Sequence, residues 1–449
     1  MLTYNFPDNK EKPLYEYLYN FIKEDILKGN IKPNEKLPSK RNLAKQLKLS
    51  LVTVETAYNQ LIVEGYITSI EKKGYYAENI SNISINKKEN NEKYSLIEEK
   101  EDSNTDFPYG IWNRLSRRII GKDDIYDVPY NGDINLRIAI ASHLKDFHNL
   151  SVDPDSIFIG SGSEYLYSVL INYFGRNSSY AIEDPGHLSI ARIYELNDVK
   201  LKYIPLDNEG INISELKKTE SDIIHISPAH HFPTGITMPL KKRMELLDYA
   251  RKNNSFIIED DYDSEFRFNS RPIPPIFALD GSGHTIYMNT FSFTLGKNIR
   301  IAYMVLPDSI LEDFVDKMSF MHNTVSILEQ KVLSLFIYEG HFERHISKMR
   351  KKYRLIHDEL LIRLKPLIRK YKLKIIEADS GLHFIIKHDF DIDDINLETK
   401  IKSMNLKTHT LSHYDHDYID TKQIIISYLN IEDIDEYINS LNELFNSLL

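Results

Sequence analysis

The sequence of 449 residues predicts a multidomain chain: a small α-rich unit at the N-terminus, a polar connector, and a large α/β domain on a mainly parallel sheet. Three observations predict it. Apolar residues recur at helical spacing, broken by short turns, from Tyr15 to Ile67. Residues 79–105 are rich in Asn, Ser, Glu and Lys and build no core. From Asp106 onward, helical patterns alternate with short apolar runs, the signature of strand-helix repeats. Apolar residues make up 42% of the chain, with 29 Tyr and 20 Phe, enough for a large ordered core.

The absence of cysteine excludes disulfide scaffolds, thiolate catalysis and Cys-based zinc sites. Charges interrupt the first twenty residues where a signal peptide needs an apolar stretch, and no window reaches the ~18 apolar residues of a membrane helix. The expected location is cytoplasmic. The net charge of -10 is uneven. Residues 1–80 hold twelve basic and ten acidic side chains, while the rest holds 44 basic and 56 acidic, so a DNA contact at the N-terminus is compatible with the charge.

In the first unit Tyr15, Leu18, Ile22 and Ile26 mark a helix that Gly29 ends. Ser39 precedes RNLAKQL and Ser50 precedes VTVETAYNQLIVEGY, each as a helix N-cap. Two helices separated by a few residues form a helix-turn-helix, whose later helix enters the major groove. A hairpin over 66–78 follows, with Lys72, Lys73 and Gly74 at its tip, a basic wing suited to phosphates. Periodicity alone equally fits a small helical bundle without function. The connector over 79–105 reads as flexible, with a span on the order of 30 Å.

In the large domain the runs SIFIGSGS, SYAIED, KLKYIPL, DIIHISP, SFIIEDD, HTIYMNT and RIAYMVL read as strands. Parallel sheets place ligand chemistry at strand C-termini. Four polar clusters stand there. Ser161, Gly162 and Ser163 open a helix and can cradle a phosphate, or form only a tight turn. His230 and His231 lie in SPAHHFPTG, which also reads as a surface loop. Asp260 and Tyr262 lie in EDDYDSEF, which also fits a solvated strand end or a metal site. Ser292, Phe293, Lys297 and Arg300 lie in SFTLGKNIR.

The string PLY…LPSKRNLAKQLKLS…TVETAYNQLIVEGYI over 13–77 resembles the winged-helix domain of GntR-type bacterial transcription regulators. FPYGIWNRLSRR, GDINLR, EDPG, HHFPTG, EDDYDSEFRF, SFTLGKNIRIAYMVLP and GLHF resemble, in order, the fold-type I aminotransferases that bind pyridoxal phosphate. The whole resembles the MocR branch, where such a domain follows a winged helix. The fold implied is a winged helix-turn-helix (1–78), a linker (79–105) and a three-layer aminotransferase-like domain (106–449), with a large subdomain over about 130–310 and a small one from the C-terminal part plus the N-terminal segment.

By that resemblance Ser39, Lys40, Arg41, Ser50, Thr53 and the wing residues Lys72, Lys73 and Gly74 contact double-stranded operator DNA. Leu51 departs from the family's basic residue. Asp260 corresponds to the partner of the pyridine nitrogen, Tyr262 to the partner of the phenolic oxygen, residues 161–163 to the phosphate cup, and Arg300 to a phosphate or substrate cation. The family's Ser-Lys-Thr-Leu carries the Schiff-base lysine, and here Phe293 stands between Ser292 and Thr294. His187 replaces the stacking tyrosine, and Gln423, beside Lys422, aligns with a substrate-binding arginine. Lys297, four positions beyond Phe293, would need a displacement of about 5 Å, one helical turn, to substitute.

The expectation is therefore a DNA-binding regulator with no catalytic residue, no covalent cofactor and no metal, forming a head-to-tail homodimer. Its degenerate pocket is left to bind pyridoxal 5'-phosphate or another small anion noncovalently. The competing readings are an aminotransferase that uses Lys297 and a scaffold whose DNA domain is inactive.

Overall fold

The computed structural model describes residues 4, 6, 12–79, 106–120, 128–266, 273–296, 299–377, 381–429, 431 and 433–449. Two compact units divide the chain, Met1–Lys100 and Glu101–Leu449. The expected connector, apart from Asn79, and Lys297 lie outside the described residues.

In the first unit α1 (Leu14–Leu27) buries Leu18, Tyr19, Ile22 and Ile26, the predicted stripe. A two-residue strand β1 (Lys36–Leu37) precedes α2 (Lys40–Leu47) and α3 (Leu51–Val63). Ser39 caps α2 by accepting from the Asn42 amide at 3.3 Å, and Ser50 caps α3 by accepting from the Thr53 amide at 3.0 Å. These hydroxyls satisfy amides that the first helical turn leaves without partners. Between the helices Lys48 adopts a left-handed backbone, φ 51, which turns the chain sharply. The hairpin β2 (Ile67–Ile70) and β3 (Gly74–Ala77) is antiparallel, and β1 adds to β3, giving the order β1-β3-β2. Leu18, Ile22, Leu43, Val54, Leu61 and Ile67 form one buried cluster.

The second unit is built on an eight-stranded sheet: β4 (Ile157–Gly160), β5 (Ser179–Asp184), β6 (Lys200–Asp207), β7 (Gly210–Ile211), β8 (Ile223–Ile226), β9 (Phe256–Asp260), β10 (Thr285–Thr290) and β11 (Ala302–Val305). Their spatial order is β4-β11-β10-β9-β8-β5-β6-β7. The five strands β10, β9, β8, β5 and β6 pair in parallel, while β11 runs antiparallel to both β10 and β4. Each of the seven predicted runs contains a strand. Helices cover both faces and isolate separate apolar clusters, one around Leu136, Ile159 and Phe336 and another around Phe158, Leu166 and Ile286.

A second sheet, absent from the sequence reading, contains β12 (Lys374–Ile376), β13 (His383–Lys387), β14 (His409–Thr410) and β15 (Gln423–Ser427), all antiparallel, in the order β12-β13-β15-β14. The helix His341–Tyr371 joins the two sheets. Its Leu360 and Leu364 pack with Phe384 and Ile426, while His345 lies 2.7 Å from the Thr294 carbonyl of the first sheet's site. The segment near Trp112, which the sequence reading attached to the small subdomain, packs Phe107 and Leu115 into the cluster of the large sheet and sets Trp112 6.0 Å from Phe336. Among the described residues no helix is long and apolar enough to cross a membrane.

Leu61→Ala removes a fully buried side chain of α3. Hydrogen exchange on the full chain should show the first unit less stable by about 2–5 kcal/mol. A loss below ~1 kcal/mol would contradict this packing.

Candidate functional site

On the first unit, Ser39, Arg41 and Ser50 are exposed at the starts of α2 and α3, and Lys72 and Lys73 are exposed in the hairpin turn. Thr53 is half-buried and shares a hydroxyl contact of 2.8 Å with Ser50. Lys40 is committed within the unit: its Nζ bonds Glu55 Oε1 at 2.6 Å and lies 5.6 Å from the Tyr75 ring centroid. Gly74 has φ 112, and a Cβ there would come within 3.3 Å of the Lys36 side chain. The start of α3 presents Leu51 and Val52, 44% and 70% exposed, in place of a charged side chain.

In the second unit the candidate cleft residues gather at the C-terminal ends of the parallel strands. Asp260 ends β9 and is buried, accepting a hydrogen bond from the Tyr167 hydroxyl at 2.6 Å, with His225 Nε2 at 3.7 Å. After β10 the turn around Ser292 is fastened twice. The Ser292 hydroxyl donates to the Ile299 carbonyl at 3.1 Å, and the Leu295 amide donates to the Phe291 carbonyl at 2.8 Å. The Phe293 ring lies 5.2 Å from Tyr262 and packs against the apolar cluster of the second sheet.

Rings continue along this wall. Tyr262 lies 6.5 Å from His230, His230 4.6 Å from His383, His383 5.2 Å from Phe232, and Phe232 5.4 Å from His187. Gly381 makes the approach of the segment leading into β13 possible, because a Cβ there would sit 1.8 Å from His230 Cε1. His230 Nδ1 is held by Asp263 at 2.7 Å. Among the described residues His225 Nε2, His230 Nε2 and His383 Nε2 are buried without a hydrogen-bond partner. Buried polar atoms of this kind are satisfied by water or a ligand.

The 161–163 turn takes the predicted place, strand to helix, with Gly162 at φ 92. Ser161 is tied through its amide to Thr324 Oγ1 at 3.2 Å. Arg300 reaches the same turn, since a Cβ on Gly162 would lie 3.0 Å from its Nη2. The guanidinium is paired there with Glu164 at 2.8 Å, a contact that sequence reasoning missed although Glu164 directly follows the cup. His187 is exposed and caps the helix Leu188–Leu196, its Nδ1 accepting from the Ser189 amide at 3.2 Å. Gln423 stands apart from the cleft. It pairs with Lys387, whereas His383, beside His230, pairs with Ser427, which puts Gln423 about 13 Å along the strand. The alignment of Gln423 with a substrate-binding arginine is corrected by this register.

His231 Nε2 and Glu183 Oε2 lie 3.5 Å apart in the interior. Burial pushes Glu183 up to about 8, against the Ser227 amide that bonds it, and lowers His231 to about 3, helped by His230. Both are therefore neutral near pH 7, and the contact is not an ion pair.

The fold is that of an aminotransferase. A crystal structure of an archaeal alanine:glyoxylate aminotransferase superposes with a TM-score of 0.69 at 20% identity, covering 77% of this chain and 88% of that one. The Pyrococcus horikoshii kynurenine aminotransferase gives 0.67 at 23% identity, covering 77% and 89%. Folds of this class typically bind pyridoxal phosphate. The family described as "Bacterial regulatory proteins, gntR family" matches residues 14–76, and "Aminotransferase class I and II" matches 122–403. The HTH-type transcriptional regulator YdeL of Bacillus subtilis is 33% identical over 94% of each chain. The probable rhizopine catabolism regulatory protein MocR of Rhizobium meliloti is 25% identical, covering 97% of this chain and 94% of its own. The pyridoxine biosynthesis regulator PdxR of Corynebacterium glutamicum is 27% identical, covering 88% and 87%.

Fold and comparisons define a transcription regulator that carries an aminotransferase-like domain. The chain belongs to the GntR-type regulators, in their MocR branch.

The folded Glu183 carboxyl keeps its proton up to about 8, whereas an unfolded glutamate releases it near 4.5. The folded state thus binds more protons in this window, and stability falls as pH rises through it. Glu183→Gln should gain stability relative to the native chain across the window, on the order of a few kcal/mol, in denaturant titrations at several pH values. A difference independent of pH would contradict the assignment.

Proposed function

We propose that this regulator binds operator DNA through Ser39, Arg41, Ser50, Thr53 and the wing residues Lys72, Lys73 and Gly74, with Lys40 bracing that face through Glu55. Its aminotransferase-like unit serves as a noncatalytic dimerisation and effector-binding module. The observation that carries the reading is Phe293. In the strand-to-turn position where the fold's enzymes hold a lysine, this chain packs a phenyl ring against Tyr262. A phenyl ring makes no covalent bond to a carbonyl, so transamination has no entry through this position.

The cleft nonetheless suits a small anionic ring compound. Asp260 supplies a carboxylate for a ring nitrogen, and Arg300 stands over the Gly162 turn. Arg300 must leave Glu164 to take a phosphate. That pair is about half exposed, so its loss costs about 0–1 kcal/mol, less than a phosphate on the same guanidinium returns. Pyridoxal 5'-phosphate fits these groups as a noncovalent effector, in keeping with the name of PdxR. Bound there it would contribute an anion and a planar ring, without electron-sink chemistry. Another small anion would use the same cup.

A single winged helix reaches few phosphates, and two copies on paired half-sites gain affinity through effective concentration. This supports a homodimer, head-to-tail as in the family, acting on DNA in the cytoplasm.

With a DNA fragment from upstream of its own gene, Arg41→Ala should weaken binding by about 1–3 kcal/mol if Arg41 reads a base edge. Fluorescence anisotropy over a salt series measures this, and a wild-type chain without salt-sensitive binding would overturn the reading. Phe293→Lys should acquire a visible absorbance band with pyridoxal phosphate. An unchanged spectrum would mean that position 293 does not face the cofactor's carbonyl.

A further inference from the structure

The second sheet carries a cluster of metal-ligating side chains that plays no part in the cleft. We propose that Glu398, His409 and His413 form a binding site for one divalent transition-metal cation of the zinc or nickel kind. The inference rests on none of the DNA or effector readings above.

The three residues come from three elements. Glu398 lies on the helix Asp394–Ser403, His409 on β14, and His413 in the 3-10 turn Leu411–Tyr414 that follows. One ligand atom from each falls within 4.8 Å of the other two. Glu398 Oε1 is 2.6 Å from His409 Nδ1 and 3.9 Å from His413 Nδ1. The other carboxylate oxygen is already committed, accepting from the Thr410 amide at 3.0 Å and from its hydroxyl at 3.3 Å. The backbone therefore aims the free oxygen at both imidazoles, the kind of outer support that metal-binding carboxylates have.

A plain structural hydrogen bond would need only His409. The second imidazole lies flat on the first, centroids 4.4 Å apart and planes 12° apart, with its Nδ1 beyond hydrogen-bond reach of the same oxygen. A cation lies in the plane of each imidazole that binds it, so one of the stacked rings must turn relative to the other before both reach the same ion. Four-coordinate zinc holds its ligands at about 2.0–2.2 Å, which separates them from each other by about 3.3 Å. The shorter contact must open by about 0.7 Å and the longer one close by about 0.6 Å, with one imidazole turning out of the stack.

Two imidazole nitrogens and one carboxylate oxygen select zinc, nickel or copper over magnesium and calcium, which favour oxygen ligands throughout. The histidine side chains are 40% and 25% exposed, so water can enter as a fourth ligand. Lys402 stands 3.7 Å from Glu398 Oε1, but it is 63% exposed and such a surface pair has little net value, so the lysine can turn to solvent.

The site also touches the cleft wall. The Tyr414 carbonyl, next to His413, accepts from the Gly186 amide at 3.0 Å, and the Tyr414 ring lies 5.0 Å from Phe232. A cation on His413 would fasten this turn to the helix bearing Glu398.

The test uses the full chain, stripped of metal by a chelator and dialysed. Calorimetric titration with zinc chloride should give one ion per chain, and cobalt(II) should give the visible absorption of a tetrahedral site. The double substitution His409→Gln and His413→Gln should weaken zinc binding at least about 10-fold. Absence of stoichiometric binding, or unchanged affinity in the variant, would overturn the proposal. Should the variant fold poorly, the intact chain decides: zinc should protect His409 and His413 from acylation by diethylpyrocarbonate, and equal labelling with and without zinc would refute the site.

Discussion

The parallel pairing of β9 with β10 is the constraint on which the cleft depends. It sets Asp260 opposite Met288, and the Asp261 amide continues the ladder by donating to the Met288 carbonyl at 2.9 Å. Tyr262 follows the end of β9 by two residues and Phe293 follows the end of β10 by three. With adjacent strands about 4.8 Å apart, the segments that leave their ends stay within side-chain reach of each other. The ring contact of 5.2 Å follows from that proximity together with the turn at Ser292–Leu295. The same register in an enzyme of this fold brings an amine to the aldehyde. Here it brings two aromatic faces together and ties the first sheet to the cluster of the second.

On the proposed reading, a ring in place of an amine changes what the site can do while most of its frame stays in place. The strand ends still present a buried carboxylate, a glycine turn and an arginine. Glu183 and His231, both neutral in the interior, add polarity beside these charges, and among the described residues His225 Nε2, His230 Nε2 and His383 Nε2 are buried without a hydrogen-bond partner. Such a cleft can discriminate ligands by hydrogen bonding, since an unmade bond there costs the full desolvation of the group. Recognition of a small molecule is a different demand from turnover, and a regulator needs only the first.

Much of this was legible in the sequence because it is local. Ser39 and Ser50 announce helix starts through chemistry confined to three residues, and the seven apolar runs announce strands through their own composition. The turn that carries Phe293 was legible because its motif is short and contiguous. What the sequence did not reveal depends on partners far along the chain. β1 has only two residues and exists through β3. The second sheet relies on pairings such as His383 with Ser427 and Lys387 with Gln423, which an alignment of the Gln423 segment alone does not contain. Glu398, His409 and His413 come together only when helix, strand and turn have packed, and the Glu164 pair with Arg300 spans 136 positions.

The central claim is that the cleft holds its ligand without a covalent bond. Purified wild-type protein saturated with pyridoxal phosphate, reduced with borohydride and weighed intact by mass spectrometry tests it most directly. The account predicts the mass of the unmodified chain alongside saturable binding before reduction. A stable mass increase that maps to any lysine, Lys297 included, would contradict it.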